Sequence, residues 1–427
     1  MTMIKSYVRW TALAGLWLMA AAGARGQEAV RMSQAGEQAA VARQQAARTF
    51  GYYNLQVGPT AWNFDAGTAI IGNDNILYAN ANKEADVIFR PEFDAHGILP
   101  VSGVNTLTLG LGAGYSIYAA HPQYDGPFLA PGSELSFDVY SGNLWINLHD
   151  RFSVQDNTVI EPTYGGAGYY ELLQNTLGVS FVWDLDRLLL KWGFDYNIYK
   201  PLSGNLLLSD GATEIFSASG SYELRRRLRA GLEAGGGFLS YTAAPANTSN
   251  TGTVTGTGDF TQWSAGPFTE WSLTEHISLK AGVGYTVTAP TESTQIGNTL
   301  EGVYFRASLS HQLNRYLQYG LSGGRTISFN PYGGAMDVYY AGLSASWETS
   351  RRTSLSASFD YQNGTTGYWG NAGVGAYPFD WYAPSIGAWW MVTSRLTANL
   401  RYGYYLRGGS TYNYDANVAT LNLRYRF

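Results

Sequence analysis

Leu396-Thr397-Ala398-Asn399-Leu400-Arg401-Tyr402-Gly403-Tyr404-Tyr405-Leu406-Arg407 alternates almost without a break. Leu396, Ala398, Leu400, Tyr402, Tyr404 and Leu406 share one parity, and Thr397, Asn399, Arg401, Gly403, Tyr405 and Arg407 share the other. After a Gly/Ser/Asn-rich interval (408–417), Ala419, Leu421, Leu423, Tyr425 and Phe427 alternate with Thr420, Asn422, Arg424 and Arg426. A period of two puts successive side chains on opposite faces of a β-strand. In a water-soluble sheet the apolar face needs a second layer over it. The other way to cover such a face is lipid.

The same pattern recurs along the chain. Leu107, Leu109, Leu111, Ala113, Tyr115 and Ile117 alternate with Thr108, Gly110, Gly112, Gly114 and Ser116. Ile277, Leu279, Ala281, Val283 and Tyr285 alternate with Ser278, Lys280, Gly282 and Gly284. Two kinds of connection separate the segments. One is tight and polar, as at Asp184-Leu185-Asp186, Glu223-Leu224-Arg225, Thr274-Glu275-His276, Leu313-Asn314-Arg315, Thr349-Ser350-Arg351 and Val392-Thr393-Ser394. The other is long and rich in Gly, Asn, Thr and Pro, as in 243–258 and 364–378. Short turns at one end and long loops at the other are the pattern of outer-membrane barrels. Trp183, Tyr222, Trp271, Trp347 and Trp390 each lie just before a short turn. This fixed offset predicts an aromatic girdle where lipid meets water.

Composition agrees. Charged residues are 14%, aromatics 15%, Gly 51 and Tyr 32, and Cys is 0. No segment after the N-terminus approaches the ~18 unbroken apolar residues of a spanning helix. The absence of Cys removes any disulfide framework or thiolate metal site. A net charge of −5 gives no pointer to nucleic acid. The expected fold is all-β: a transmembrane antiparallel up-and-down barrel of about 18 strands, with 16 as the alternative. The first hairpin and the 134–152 region are the uncertain members. The domain plan is a secretory signal peptide (1–26), an N-terminal periplasmic arm or short helix (27–57), and the barrel (58–427). The signal rests on Lys5 and Arg9, the apolar run Trp10–Ala22 and the small-x-small site Ala24-Arg25-Gly26. It directs the barrel to the bacterial outer membrane.

The terminal Leu423-Arg424-Tyr425-Arg426-Phe427 resembles the C-terminal recognition signal of Gram-negative outer-membrane proteins. The resemblance implies insertion by the outer-membrane assembly machinery, with Tyr425 and Phe427 as the residues read. The first hairpin, Ile71-Gly72-Asn73-Asp74-Asn75-Ile76-Leu77 followed by Ala85-Asp86-Val87-Ile88, is similar to the opening of the β-barrel porin 2 family. It covers about two strands and implies a porin-like barrel with no specific cargo.

If the apolar parity meets lipid, the other faces a lumen. There the last strands carry Arg395, Arg401, Arg407, Arg424 and Arg426, with few acids near them in sequence; Arg325 joins them only if a bulge turns it inward. Arg306 and Lys280 share the inward parity on earlier strands. Within single strands, Arg90 with Glu92, Lys191 with Asp195 and Arg229 with Glu233 form expected mixed pairs. A one-sign wall would raise local anion concentration; a ladder paired with acids across the lumen would not. Both readings stand on the sequence. Tyr304, Tyr340 and Tyr405 are inward aromatics that either stack on carbohydrate or only pack at the wall.

Of the five histidines, His96 and His311 read near the short-turn ends, His276 in a turn and His121 in a loop. His149 is the one expected well within a strand, and its neighbour Asp150 points to the opposite face. No nucleophile–base–orienter set is visible, so no catalytic residue, metal or cofactor is expected. Asp74 with Asn73 and Asn75 reads as an Asx-rich turn before it reads as a Ca²⁺ site. The leading reading is a porin giving passive diffusion of small hydrophilic solutes, with a preference for anions as a finer possibility. The alternatives are an exopolysaccharide export channel and a structural barrel with a plugged lumen.

Overall fold

The computed structural model describes residues 53–156, 171–202, 210–242, 259–291, 299–329, 335–366, 377–409 and 413–427. The signal segment, the arm up to residue 52, and the loop centres 243–258 and 367–376 lie outside the described residues. Among the described residues, twenty antiparallel strands form one sheet. The first group is β1 (Leu55–Val57), β2 (Thr60–Asn73), β3 (Asp86–Pro100), β4 (Thr106–Tyr118), β5 (Gly126–Leu129), β6 (Glu134–Ser141) and β7 (Leu144–Asp156). Then come β8 (Glu171–Leu185), β9 (Leu188–Pro201), β10 (Asp210–Arg225), β11 (Leu228–Thr242), β12 (Phe260–Ser272) and β13 (Ile277–Pro290). The last are β14 (Leu300–Gln312), β15 (Leu317–Phe329), β16 (Ala335–Ser350), β17 (Thr353–Thr366), β18 (Tyr377–Met391), β19 (Leu396–Gly409) and β20 (Tyr414–Arg426).

Neighbours in sequence pair as hairpins, and β2 pairs with β20 as well as β3, so the sheet closes on itself. The barrel has 18 staves. β1 is a short flap on the edge of β2, and β5 and β6 share one position between β4 and β7. Between β5 and β6 the residues 130–133 oppose only 111–112 of β4, a bulge of two extra residues. Ser133 Oγ accepts from the Gly112 amide at 3.1 Å and donates to the Gly112 carbonyl at 3.2 Å, which keeps the interrupted ladder satisfied. The 134–152 ambiguity of the sequence comes from this break.

The wall is inside-out relative to a soluble protein. Leu232 is 68% exposed, Ile386 63%, Leu400 46% and Tyr402 44%. No second layer covers them among the described residues. The buried set includes Asn147, His149, Asp195 and Asn197 on the inner face. Trp183, Tyr222, Trp271 and Trp347 are exposed on the outer face near the short turns, with Trp390 half-buried beside them. Near the long-loop end, the Tyr402 hydroxyl donates to Asn417 at 2.6 Å and the Tyr361 hydroxyl to Asp380 at 2.9 Å. These rings keep an apolar body toward the wall and bind a polar group at the tip, as a boundary position requires.

Much of the glycine has a steric purpose. Rings lie flat across glycines on the adjacent strand: a Cβ on Gly97 would come within 2.7 Å of the Trp62 ring, and one on Gly236 would overlap Trp263. A side chain there would lift the ring from the sheet. The tight turns fall where the sequence places them, displaced by one or two residues: β10 runs on to Arg225 and the turn is Arg226-Arg227.

Candidate functional site

The inner wall is the candidate site, and barrel closure decides its electrostatics. β2 lies beside β20 with Asp65 opposite Arg426 and Gly67 opposite Arg424. Arg424 Nη2 lies 3.0 Å from Asp94 and 3.8 Å from Glu92, and Arg426 Nε lies 3.4 Å from Asp65. The expectation that the terminal arginines lack nearby acids is therefore corrected. The acids are more than three hundred residues away in sequence and become neighbours only when the last strand meets the first. Arg424→Glu would set three carboxylates together at this seam. It is expected to destabilise the barrel by ~1–2 kcal/mol, read as a lower urea midpoint, while Arg424→Lys keeps most of the stability. Equal midpoints for Arg424→Glu and the parent chain would contradict this pairing.

The other expected lumen residues divide. Arg306 pairs with Glu233, which also accepts from the Tyr304 hydroxyl at 3.0 Å. Lys280 Nζ lies 3.1 Å from Glu270. Arg401 faces inward and donates to the Ser385 hydroxyl at 3.3 Å. Arg407 is 2% exposed, its guanidinium 5.1 Å from the Phe379 ring centre. Tyr405 lies over Gly403, where a Cβ would sit 2.7 Å from its hydroxyl. Arg395 is exposed in the turn before β19 and is not on the strand wall. Arg325 does not turn inward: its register partners Phe305 and Tyr339 are exposed on the outer face. There it pairs with Asp337 at 2.7 Å and caps the Val303 carbonyl at 3.0 Å, where β15 parts from β14.

The expected same-strand pairs give way to cross-strand ones. Arg90 binds Asp156 at 3.1 Å, Arg229 binds Glu223 at 3.2 Å, and Asp195 binds His149 at 2.8 Å. Residues two apart share a face but stand roughly 6.6 Å apart along the strand, whereas direct partners such as Glu223 and Arg229 are about 5 Å apart. The other two pairs reach over intervening strands, His149 and Asp195 across Gly178 of β8.

His149 belongs to a buried network. Trp145 Nε1 and Asn147 Nδ2 both donate to Asp138, at 2.9 and 2.8 Å. That turns Asn147 Oδ1 toward His149 Nδ1, 2.9 Å away. Nε2 faces the Asp195 carboxylate at 2.8 Å. Both ring nitrogens are engaged, which fixes the ring in the wall. Asp150 accepts from Asn175 at 2.6 Å on the outer face, as its parity requires. Asp74 uses both oxygens to hold the amide and side chain of Asn417, at 2.7 and 2.6 Å; Asn73 makes the Asx turn, accepting from Asn75 N at 2.9 Å.

At the long-loop end an apolar patch interrupts the polar wall, and the sequence parity gave no sign of it. Met336, Val338, Phe379, Trp381, Tyr414 and Ala416 cluster there, and Tyr78 from the β2–β3 loop packs on them. The loop is latched to β20: Asn75 Nδ2 donates to the Asp415 carbonyl at 2.8 Å and Lys83 Nζ lies 2.6 Å from the Asp415 carboxylate. On its other side His121 sits between Asp86 and Glu84, at 2.8 and 3.1 Å. Burial pushes the Tyr78 phenol well up, with Tyr414 and Tyr405 adding to it, so it stays neutral.

One register row crosses half the barrel. Gly231, Phe268, Gly282, Arg306 and Gly324 are successive cross-strand partners from β11 to β15. Tyr340, Gln362, Trp381, Arg407 and Tyr414 continue it from β16 to β20. The planar groups bed on the glycines: a Cβ would lie 2.9 Å from Phe268 at Gly231, 3.3 Å from Arg306 at Gly282 and 2.9 Å from Tyr340 at Gly324.

No family model matches the chain, so the resemblance of its first hairpin stays a resemblance. No curated protein matches it either. Among solved structures it is similar to Pseudomonas aeruginosa OpdL, at 11% identity and TM-score 0.48, covering 87% of this chain and 99% of that one. Acinetobacter baumannii OccAB3 is similar at 11% identity and TM-score 0.49, covering 87% and 100%. Pseudomonas aeruginosa OccK2 (OpdF), solved in complex with glucuronate, is similar at 12% and 0.49, covering 86% and 98%. These likenesses are distant; the architecture of this chain stands on its own strand ladders.

Proposed function

We propose that the chain is an outer-membrane porin through which small hydrophilic solutes diffuse passively. One observation carries this reading: a closed sheet exposes Leu232, Leu400, Tyr402 and Ile386 outward while Asn147, Asp195, Arg424 and Arg401 line its interior. A barrel of this strand number is too wide for wall side chains alone to fill. The short turns face the periplasm and the long loops face outward. Trp183, Tyr222, Trp271, Trp347 and Trp390 form the periplasmic girdle. Tyr425 and Phe427, ring centres 5.5 Å apart at the end of β20, are the residues offered to the assembly machinery.

The finer preference for anions has less support than the pore itself. Arg306, Arg424 and Arg426 all face carboxylates, which cancels most of the field a bare arginine wall would create. Reconstituted in a planar bilayer, the full chain is expected to give steady conductance with a reversal potential near zero in a salt gradient. Absence of conductance from a folded, inserted barrel would overturn the porin reading; a strongly anion-shifted reversal potential would restore the arginines as a selectivity wall.

A further inference from the structure

We propose that the lower half of this row, from Phe268 to Tyr340, is a stacking track for linear oligosaccharides, a reading that rests on the porin assignment and names its substrate class. Direct register partners run at right angles to the strands, about 4.8 Å apart. With strands tilted by roughly 40°, each step along the row climbs about 3 Å. The nine steps from β11 to β20 climb roughly 28 Å, close to the ~30 Å hydrocarbon thickness. Phe268 is near the short-turn end of β12, and Tyr414 opens β20 at the long-loop end. The row therefore ascends the lumen from one mouth to the other.

The groups on this line have faces to offer. Phe268, Arg306 and Tyr340 reach across Gly231, Gly282 and Gly324 and are half-buried. Each keeps part of its planar group open to the lumen. A pyranose ring has an apolar C–H face and a hydroxyl rim. The face fits Phe268 and Tyr340, and the rim fits the donors of Arg306. Arg306 is already matched by Glu233, so the accessible end offers planarity without surplus positive charge, which suits a neutral ring over an anion. Planar groups on alternate strands stand about 10 Å apart. One ring touches one station, and a chain of rings touches several, so length multiplies affinity.

The upper end of the row is closed. Tyr78 packs there with Phe379 and Trp381, its ring centre 5.2 Å from that of Tyr414 and tilted by 60°. The open stations are therefore Phe268, Arg306 and Tyr340.

Saturation-transfer NMR on the purified, folded full chain tests this, with a linear glucan hexasaccharide as probe and glucose as the single-ring control. Transfer to the hexasaccharide is expected, weaker for glucose. Phe268→Ala and Tyr340→Ala should each weaken hexasaccharide binding about 5-fold, with Tyr340→Phe near the parent value. Heat-modifiable migration identifies variants that still fold. No transfer to the hexasaccharide, or equal affinity in the folded Phe268→Ala/Tyr340→Ala variant, overturns the track. Bilayer conductance is read separately. A conducting barrel without binding ends the track and keeps the pore; a binding barrel without conductance ends the pore and keeps the track.

Discussion

Gly178→Ala is expected to destabilise the barrel by ~3–5 kcal/mol, although it adds a single methyl group. Gly178 stands on β8 between His149 on β7 and Asp195 on β9, its direct register partners. The 2.8 Å bond between His149 and Asp195 passes over it. A Cβ here would overlap Asp195 Oδ1 and approach His149 Nε2 to 2.6 Å and the Phe194 carbonyl to 2.9 Å. The two groups, 3% and 4% exposed, would be parted without access to water, and a buried polar group left without its partner is costly. Gly193→Ala is the control. It lies on the same wall, yet its Cβ would meet nothing closer than Ser217 Oγ at 3.3 Å. The urea midpoint should fall clearly for Gly178→Ala and barely for Gly193→Ala. Matching midpoints would show that the pair does not hold this wall.

Tyr78→Ala is expected to raise single-channel conductance, by tens of per cent up to about two-fold, because a pore's narrow parts set its current. Tyr78 is 5% exposed and is the loop residue of the patch formed by Phe379, Trp381 and Tyr414. Its removal also vacates a buried aromatic site, so the loop should lose ~3–5 kcal/mol of packing. The latch of Asp74, Asn75 and Lys83 on β20 uses other atoms and remains. The expected signature is therefore a larger and noisier current with unchanged barrel stability. Conductance equal to that of the parent chain would show that the permeant path avoids this ring.

Most of the architecture was legible because a period of two is a local property. Leu400 and Tyr402 against Arg401 and Tyr405 told the faces apart, and their exposure bears the reading out. The turns were legible to within one or two residues, since strand ends fray into turns. The bulge at 130–133 was not, because both halves of that stave read as short, imperfect strands. The charge map failed for a different reason. Asp65 and Arg426 are 361 residues apart, and nothing local announces that they share a wall. The acids Asp65 and Asp94 lie on the first strands, so the arginines looked unmatched. Arg325 keeps the outward face that its parity gives it, since no bulge turns it inward. The parity of the glycines says nothing of their use: Gly97, Gly236, Gly284 and Gly403 are beds for Trp62, Trp263, Tyr304 and Tyr405. That role is visible only once the register is known.

The seam between β2 and β20 also sets a timetable. Every other stave can zip to its neighbour in sequence. This joint brings together segments separated by almost the entire ribbon, the slowest kind of encounter a chain can make. Until that moment both rims stay raw and sticky. The carboxylates on one rim and the guanidiniums on the other give the two edges opposite polarity, so the last stitch is drawn toward its mate and repelled by copies of itself.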